Sequence, residues 1–302
     1  TDRTAEIAFA MGADVLTFPW CDDFSAPLNY GLDACEADWV LRLDSDEELA
    51  PGSAAEVRRI VAENKPGLYA CELVSVMQRG VREEIASSMG RLYQRLPGLR
   101  WRGLVHEELR FEDGKQPAVV QAPGVRIIHH GYNDLDVERR KQYRNIGLLD
   151  IMIEAEPTQA VYWFYRGVSK QVLGMNEEAL VDLAQAVDMT TPGLNGVMPM
   201  WLITAFGIMT SCLANLGAYP QEMEIIKRAL GYYGNFAGYY LNAAHALANM
   251  GYWHESLAAA KKAGTCTGTP GMTLDTNAGG WKAAMAERHA SAAVSRMIRA
   301  KV

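Results

Sequence analysis

Along the N-terminal stretch the apolar positions switch between two periods. "TAEIAFAMGA" (4–13) has helical spacing and stops at Gly12, and "DVLTF" (14–18) is short and strand-like. Helical spacing resumes in "DFSAPLNYGLDACEA" (23–37), with Asp23 placed as an N-cap. "WVLRL" (39–43) is nearly all apolar, as in a strand buried on both faces, and Pro51 stands in the first turn of a helix through "GSAAEVRRIVAEN" (52–64). Strand then helix, repeated, predicts a parallel sheet with covered faces. From residue 67 the runs become strand-like, in "GLYACELVSVMQ", "SMGRLYQR", "RWRGLVHEEL" and "GVRIIHHGY", punctuated by Gly90, Pro97, Gly98, Gly114 and Pro123.

After Asn133 the strand pattern stops. A long helical run, "DVERRKQYRNIGLLDIMIEAE", leads to Pro157, and the sequence then repeats. Gly174, Gly217 and Gly251 are spaced by 43 and 34 residues, and each is followed twelve positions later by an alanine, Ala186, Ala229 and Ala263. Trp163, Gly167, Ala179 and Leu183 complete the first unit in the order used by tetratricopeptide repeats, whose period is about 34 residues. Small residues let paired helices approach, while Trp163, Leu183 and Ile226 fill the gap between them. "MTTPGLNGVMPM" accounts for the longer step, and the amphipathic "WKAAMAERHASAAVSRMIRA" closes the array. The pattern predicts two domains, an α/β one over 1–133 and an all-α one over 134–302.

Composition narrows the function classes. With 302 residues, 49% hydrophobic and 22% charged, the chain has apolar content for a real core. The net charge of −7 and the absence of a basic stripe argue against a nucleic-acid partner. Five scattered cysteines, 21, 35, 71, 212 and 266, form no CxxC pair and fit reduced thiols, hence a cytoplasmic location. No apolar run of about 18 residues predicts a membrane span, and no leader precedes the first helix. The start at Thr1 rather than Met leads us to expect a missing upstream portion.

The candidate chemistry begins where "WVLRL" ends. Asp44 and Asp46 flank Ser45, with Glu47 and Glu48 following. Two carboxylates two positions apart in an extended segment point to one side and could share Mg²⁺ or Mn²⁺ beside phosphate oxygens. The competing reading is an acidic lead into the next helix, whose N-terminus favours negative charge. His129 and His130 end a strand-like run, and alternation sends the two rings to opposite faces, so one at most reaches the site.

"TDRT", "PWCDDFSAPLNYGL", "LDSDEEL", "RLYQR", "RWRGLVHEEL" and "HHGY" together resemble the inverting family 2 glycosyltransferases of GT-A fold. The branch this chain looks most like is the bacterial one that joins the catalytic domain to tetratricopeptide repeats. The resemblance implies a nucleotide-diphospho-sugar donor, a UDP-sugar in the first instance, and Mn²⁺ or Mg²⁺ on the diphosphate. It implies Asp46 as the direct metal ligand, Asp44 nearer the ribose or sugar, and a late histidine, assigned to His130, as a further ligand. Glu107 is the expected catalytic base, with His106 and Glu108 as rivals, since inversion needs a group that takes the acceptor proton. Asp2, Asp23, Asn29, Ser45 and Arg91 are expected at the donor, with Arg102 a further phosphate partner. Trp20, Tyr30, Tyr93 and Trp101 could stack on base or sugar.

Two departures stand out. Where the family has arginine this chain has Leu28, with Pro27 inside the helix, and the family's first strand lies before Thr1, so the expected domain is N-terminally incomplete. The expected function is sugar transfer to an acceptor, for which a protein or peptide held by the repeats is a candidate. The repeats could equally pair two copies of the chain. The alternative is a transferase-like scaffold with weak or no catalysis, whose repeats bind a protein partner.

Overall fold

The computed structural model describes residues 3–79, 81–130, 135–191, 198–266 and 283–300. The chain forms two compact units, 1–138 and 139–302.

Unit one opens with helix α1 (Thr4–Ala10), which buries none of its residues. The expected strand "DVLTF" belongs to no sheet; Val15 and Leu16 are exposed. Helix α2 (Ser25–Ala34) follows, capped by Asp23, whose Oδ1 accepts from the backbone N–H of Ser25 at 2.7 Å and of Ala26 at 3.1 Å. Pro27 falls in the first turn of α2, where its ring meets no preceding helical turn, so the helix tolerates it.

The next elements are β1 (Trp39–Leu41), β2 (Glu47–Leu49), α3 (Ser53–Glu63), β3 (Leu68–Arg79), β4 (Val81–Gln94), β5 (Arg100–Arg102), β6 (Glu108–Arg110) and β7 (Val119–His129). Five strands form one sheet in the order β1-β4-β3-β7-β2, and β5 pairs with β6. The sheet is mixed, not parallel as the strand–helix alternation predicts: only β3 and β7 run parallel. The reason is connection length. β3 and β4 are separated by a single residue, whereas a parallel neighbour needs a crossover of a dozen or more.

Alternation along β3 turns Tyr69, Cys71 and Leu73 to one face, where they meet Val125 and Ile127 of β7 and Ile60 of α3. A second cluster joins Leu32 of α2 to Tyr93, Leu99, Trp101 and Leu109. Leu28 packs against it, an apolar contact where the resemblance leads one to expect arginine. All five cysteines are free thiols.

Unit two is helical: α4 (Leu135–Ala155), which begins just before the unit boundary, then α5 (Ala160–Val172), α6 (Asn176–Met189), α7 (Trp201–Asn215), α8 (Tyr219–Tyr232), α9 (Ala237–Asn249), α10 (Trp253–Gly264) and α11 (Ala283–Ala300). Helices α5/α6, α7/α8 and α9/α10 pack as successive hairpins. Gly174, Gly217 and Gly251 end the first helix of each, at φ of +80, +69 and +83. In all three the next residue's N–H reaches back to a carbonyl five residues earlier, Met175 to Lys170, Ala218 to Leu213 and Tyr252 to Leu247. That is the left-handed helix stop that glycine makes cheaply. These glycines therefore turn the chain; they do not bring helices together as the repeat pattern alone suggests.

Close approach falls to other small residues. A Cβ on Gly167 would stand 2.7 Å from Leu183 Cγ, and Ala186, Ala229 and Ala263 are fully buried. Much of the expected insertion "MTTPGLNGVMPM" lies outside the described residues. No helix among the described residues is long and apolar enough to cross a membrane.

Candidate active site

The site is built on the turn between β1 and β2. The backbone N–H of Glu47 donates to the carbonyl of Asp44 at 3.0 Å, so Asp44-Ser45-Asp46-Glu47 is a closed β-turn with Ser45 exposed at its tip. Glu47 is not a lead into a helix. It lies in β2, its side chain 1% exposed, with Oε2 accepting from the Asp44 N–H at 2.9 Å and Oε1 accepting from Arg91.

Arg91 reaches the turn because of an irregularity in β4. Leu92 pairs with Tyr69 and Gly90 with Ala70, which leaves Arg91 as the extra residue of a bulge. Bulges re-aim side chains, and this one sends a guanidinium into the acidic turn. Gly90 fits beside it because a Cβ there would meet Leu68 at 2.7 Å. Arg91 is 3% exposed and donates from Nη2 to Asp44 Oδ2 at 3.0 Å, while its Nε and Nη1 have no partner.

A second guanidinium joins the turn to the "HEEL" segment. Arg42 meets Glu107 Oε1 through Nη1 at 2.9 Å and Asp44 Oδ1 through Nη2 at 3.4 Å, and it lies over the Trp101 ring at 5.0 Å. One side chain thus touches both the acidic turn and the expected base. Burial acts to raise the Asp44 pKa, but the Arg91 hydrogen bond and the charges of Arg42 and Arg91 outweigh it and hold the carboxyl below its usual range.

Asp46 is the freer acid. Its Oδ2 stands 3.2 Å from His129 Nε2, and Ser75 Oγ lies 3.3 Å from the other ring nitrogen, Nδ1. The ladder explains the meeting: His129 pairs in register with Ser75 of β3 and with Glu47 of β2. His130, the histidine expected to join the metal, instead stands 3.1 Å from Glu48 Oε1, both side chains well exposed. Its backbone N–H donates to the Asp46 carbonyl at 2.9 Å.

The other expected site residues divide. Asn29 is bonded at both ends of its amide to the Trp101 backbone, at 2.9 Å each, so with Asp23 at the α2 cap it serves to fix α2 and β5. Glu108 is held by Arg110 at 2.6 Å and by Gln116 at 2.8 Å. His106 has the left-handed φ of 54. Desolvation lowers its pKa, although the residue stays open to water, which limits the effect. Arg102 is exposed, Tyr93 and Trp101 are core, and Trp20 and Tyr30 pack on Phe24 and Phe18. Asp2, Gly131 and Tyr132 lie outside the described residues. Arg42 and Glu47 are what sequence reading missed. Glu47 adjoins Asp46 in a motif whose acids all look alike, and no pattern marks the buried one.

Among the described residues no three His, Cys, Asp or Glu side chains cluster as a complete metal site. Two carboxylate–imidazole pairs are left unclaimed by arginine, Asp46 with His129 and the more exposed Glu48 with His130, and Asp46–His129 is the more sheltered of them, a donor set that suits Mn²⁺.

The family model "Glycosyl transferase family 2" matches residues 1–133. A TPR repeat-containing protein of Synechococcus elongatus is 32% identical over 147 residues, 46% of this chain and 35% of that one. The SPbeta prophage-derived glycosyltransferase SunS of Bacillus subtilis is 22% identical over 170 residues, 56% of this chain and 40% of that one. The chain thus spans well under half the length of these curated relatives. The crystal structure of MamA shows a loose likeness, with a TM-score of 0.37 at 15% identity, over 56% of this chain and 99% of that one. Residues 1–133 match the glycosyltransferase family 2 model, and an array of helical hairpins follows them.

Proposed function

We propose that the chain transfers a sugar from a nucleotide-diphospho-sugar, a UDP-sugar in the first instance, to an acceptor with inversion at the anomeric carbon. The observation that carries this reading is Arg42, which touches the acidic turn through Asp44 and the "HEEL" segment through Glu107. Donor-binding and proton-accepting groups therefore lie within one side chain of each other.

Asp46 and His129 are the residues that would hold a divalent cation. Such a cation, when bound, offsets the negative charge that builds on the leaving diphosphate. Arg91 and Arg42 both contact Asp44, which suits that carboxylate to accept from ribose or sugar hydroxyls more than to ligate metal. Glu107 takes the acceptor proton as the new bond to the anomeric carbon forms and the bond to the diphosphate oxygen breaks. The family resemblance supports this division of roles, and a protein or peptide acceptor is consistent with the helical array.

The test uses water as acceptor, so the natural one need not be known. UDP-glucose, UDP-N-acetylglucosamine and GDP-mannose are incubated with the full chain and Mn²⁺, and the first sugar anomer released is read by proton NMR. Slow release of the β anomer from one α-linked donor is expected, falling about 100-fold or more in Glu107→Gln. Release of the α anomer, or release indifferent to Glu107, contradicts the reading.

A second reading, a scaffold that holds a protein partner, draws on Leu28, which joins the apolar cluster where the family has a charge. It predicts no turnover of any donor, with a partner retained by the chain after Asp44 and Asp46 are both replaced by alanine.

A further inference from the structure

The pairing of β3, β7 and β2 sets three side chains in a row: Ser75, His129 and, from the adjoining turn, Asp46. Both ring nitrogens of His129 are engaged, Nδ1 by Ser75 Oγ at 3.3 Å and Nε2 by Asp46 Oδ2 at 3.2 Å. A neutral imidazole carries one ring proton, and a carboxylate oxygen only accepts. In the neutral ring, with the Asp46 carboxylate as partner of Nε2, the proton sits on Nε2 and Nδ1 accepts from the Ser75 hydroxyl.

A cation on Nε2 reverses that requirement. The Nε2 lone pair must then face the metal, the ring proton must sit on Nδ1, and Nδ1–H needs an acceptor. Alanine at 75 could not serve both states, and a backbone N–H or carbonyl could serve one of them alone. A hydroxyl serves both by rotating, because it has one proton and two lone pairs.

We infer that Ser75 is a positioning residue for His129, whose hydroxyl lets the ring exchange tautomers as Nε2 passes from Asp46 to a divalent cation. This rests on the cation reading of the Asp46–His129 pair. The exchange conserves the ring's single proton: Nε2 gives one up to water, Nδ1 takes one from water, and Ser75 turns from donor to acceptor. The partial exposure of His129 gives water that access.

Two measurements on the full chain test it. Free Mn²⁺ is counted by electron paramagnetic resonance in the presence of UDP or GDP, for the wild type, Asp46→Ala, Ser75→Ala and Ser75→Thr. Ser75→Ala is expected to bind Mn²⁺ about 10–100-fold more weakly, the usual effect of losing a partner of a metal-bound histidine, and Ser75→Thr to restore binding. Nitrogen NMR of histidine-labelled wild type, in alkaline buffer with Cd²⁺ as a diamagnetic stand-in, reads the ring directly. The His129 proton is expected on Nε2 without metal and on Nδ1 with it.

If Mn²⁺ binds in an Asp46-dependent way yet Ser75→Ala matches the wild type, the role of Ser75 is overturned and the cation reading stands; if the ring proton stays on Nε2 with metal, His129 is no ligand and the inference falls with that part of the cation reading. If the wild type binds no Mn²⁺ with either nucleotide, the cation reading falls and takes this inference with it. The NMR measurement needs no variant, so even if Ser75→Ala failed to fold, a ring proton that stays on Nε2 with metal would overturn the inference.

Discussion

Arg91 and Glu47 form the most buried ion pair of the candidate site, with side chains 4% and 1% exposed. Removing one member of such a pair strands the other charge away from water, which costs about 3–5 kcal/mol. Arg91→Met should therefore destabilise the first unit by that order in urea unfolding, and adding Glu47→Gln should restore part of the loss. Arg42→Met should cost less, because Arg42 and Glu107, at 21% and 14% exposure, keep more contact with water than Arg91 and Glu47 do. Equal losses in the two arginine variants would contradict this ranking. At this scale the sequence was half legible. Asp44 and Asp46 stood out because a D-x-D after an apolar strand is a pattern. Arg91 and Glu47 are separated by 44 positions, and the bulge that joins them depends on β3. The choice between His129 and His130 depends on register, which alternation alone leaves open by one residue.

At the scale of elements, the three helix-ending glycines and the glycine inside α7 make opposite predictions. Gly217 sits at φ +69, so Gly217→Ala should destabilise by about 1 kcal/mol. Gly207 lies within α7 beside open space, with nothing within 4 Å of where a methyl group would stand, so Gly207→Ala should stabilise by up to about 1 kcal/mol. Urea midpoints moving the same way in both variants would refute the assignment. Glu222 of α8 gives a pH-dependent counterpart. It is 1% exposed, and burial pushes its pKa up to about 7 from 4.5. The folded state thus holds a proton that the unfolded state loses earlier, so stability is full below about pH 4.5 and falls as pH rises to about 7. Glu222→Gln should flatten that fall and gain about 1–3 kcal/mol at pH 8, read by urea unfolding. A pH profile unchanged by the substitution would contradict it. Helices were legible because amphipathic spacing is local. Strand order was not, since "WVLRL" looks the same beside a parallel or an antiparallel neighbour, and β1 finds β4 rather than residues 14–18.

For the whole molecule, the division into an α/β unit and a helical unit follows the change of apolar period near residue 133, although the compact units part at 138/139. Period is a property of long stretches and survives local surprises such as the glycine stops. Function at this scale rests on one claim, that the turn 44–47 binds a nucleoside diphosphate through a divalent cation. Isothermal titration of UDP and of GDP into the full chain, with and without Mn²⁺, tests it most directly. One nucleotide should bind at least about tenfold more tightly with Mn²⁺, and Asp46→Ala should abolish that gain. Failure of both nucleotides to bind the wild type, or a Mn²⁺ gain that survives Asp46→Ala, would contradict the account.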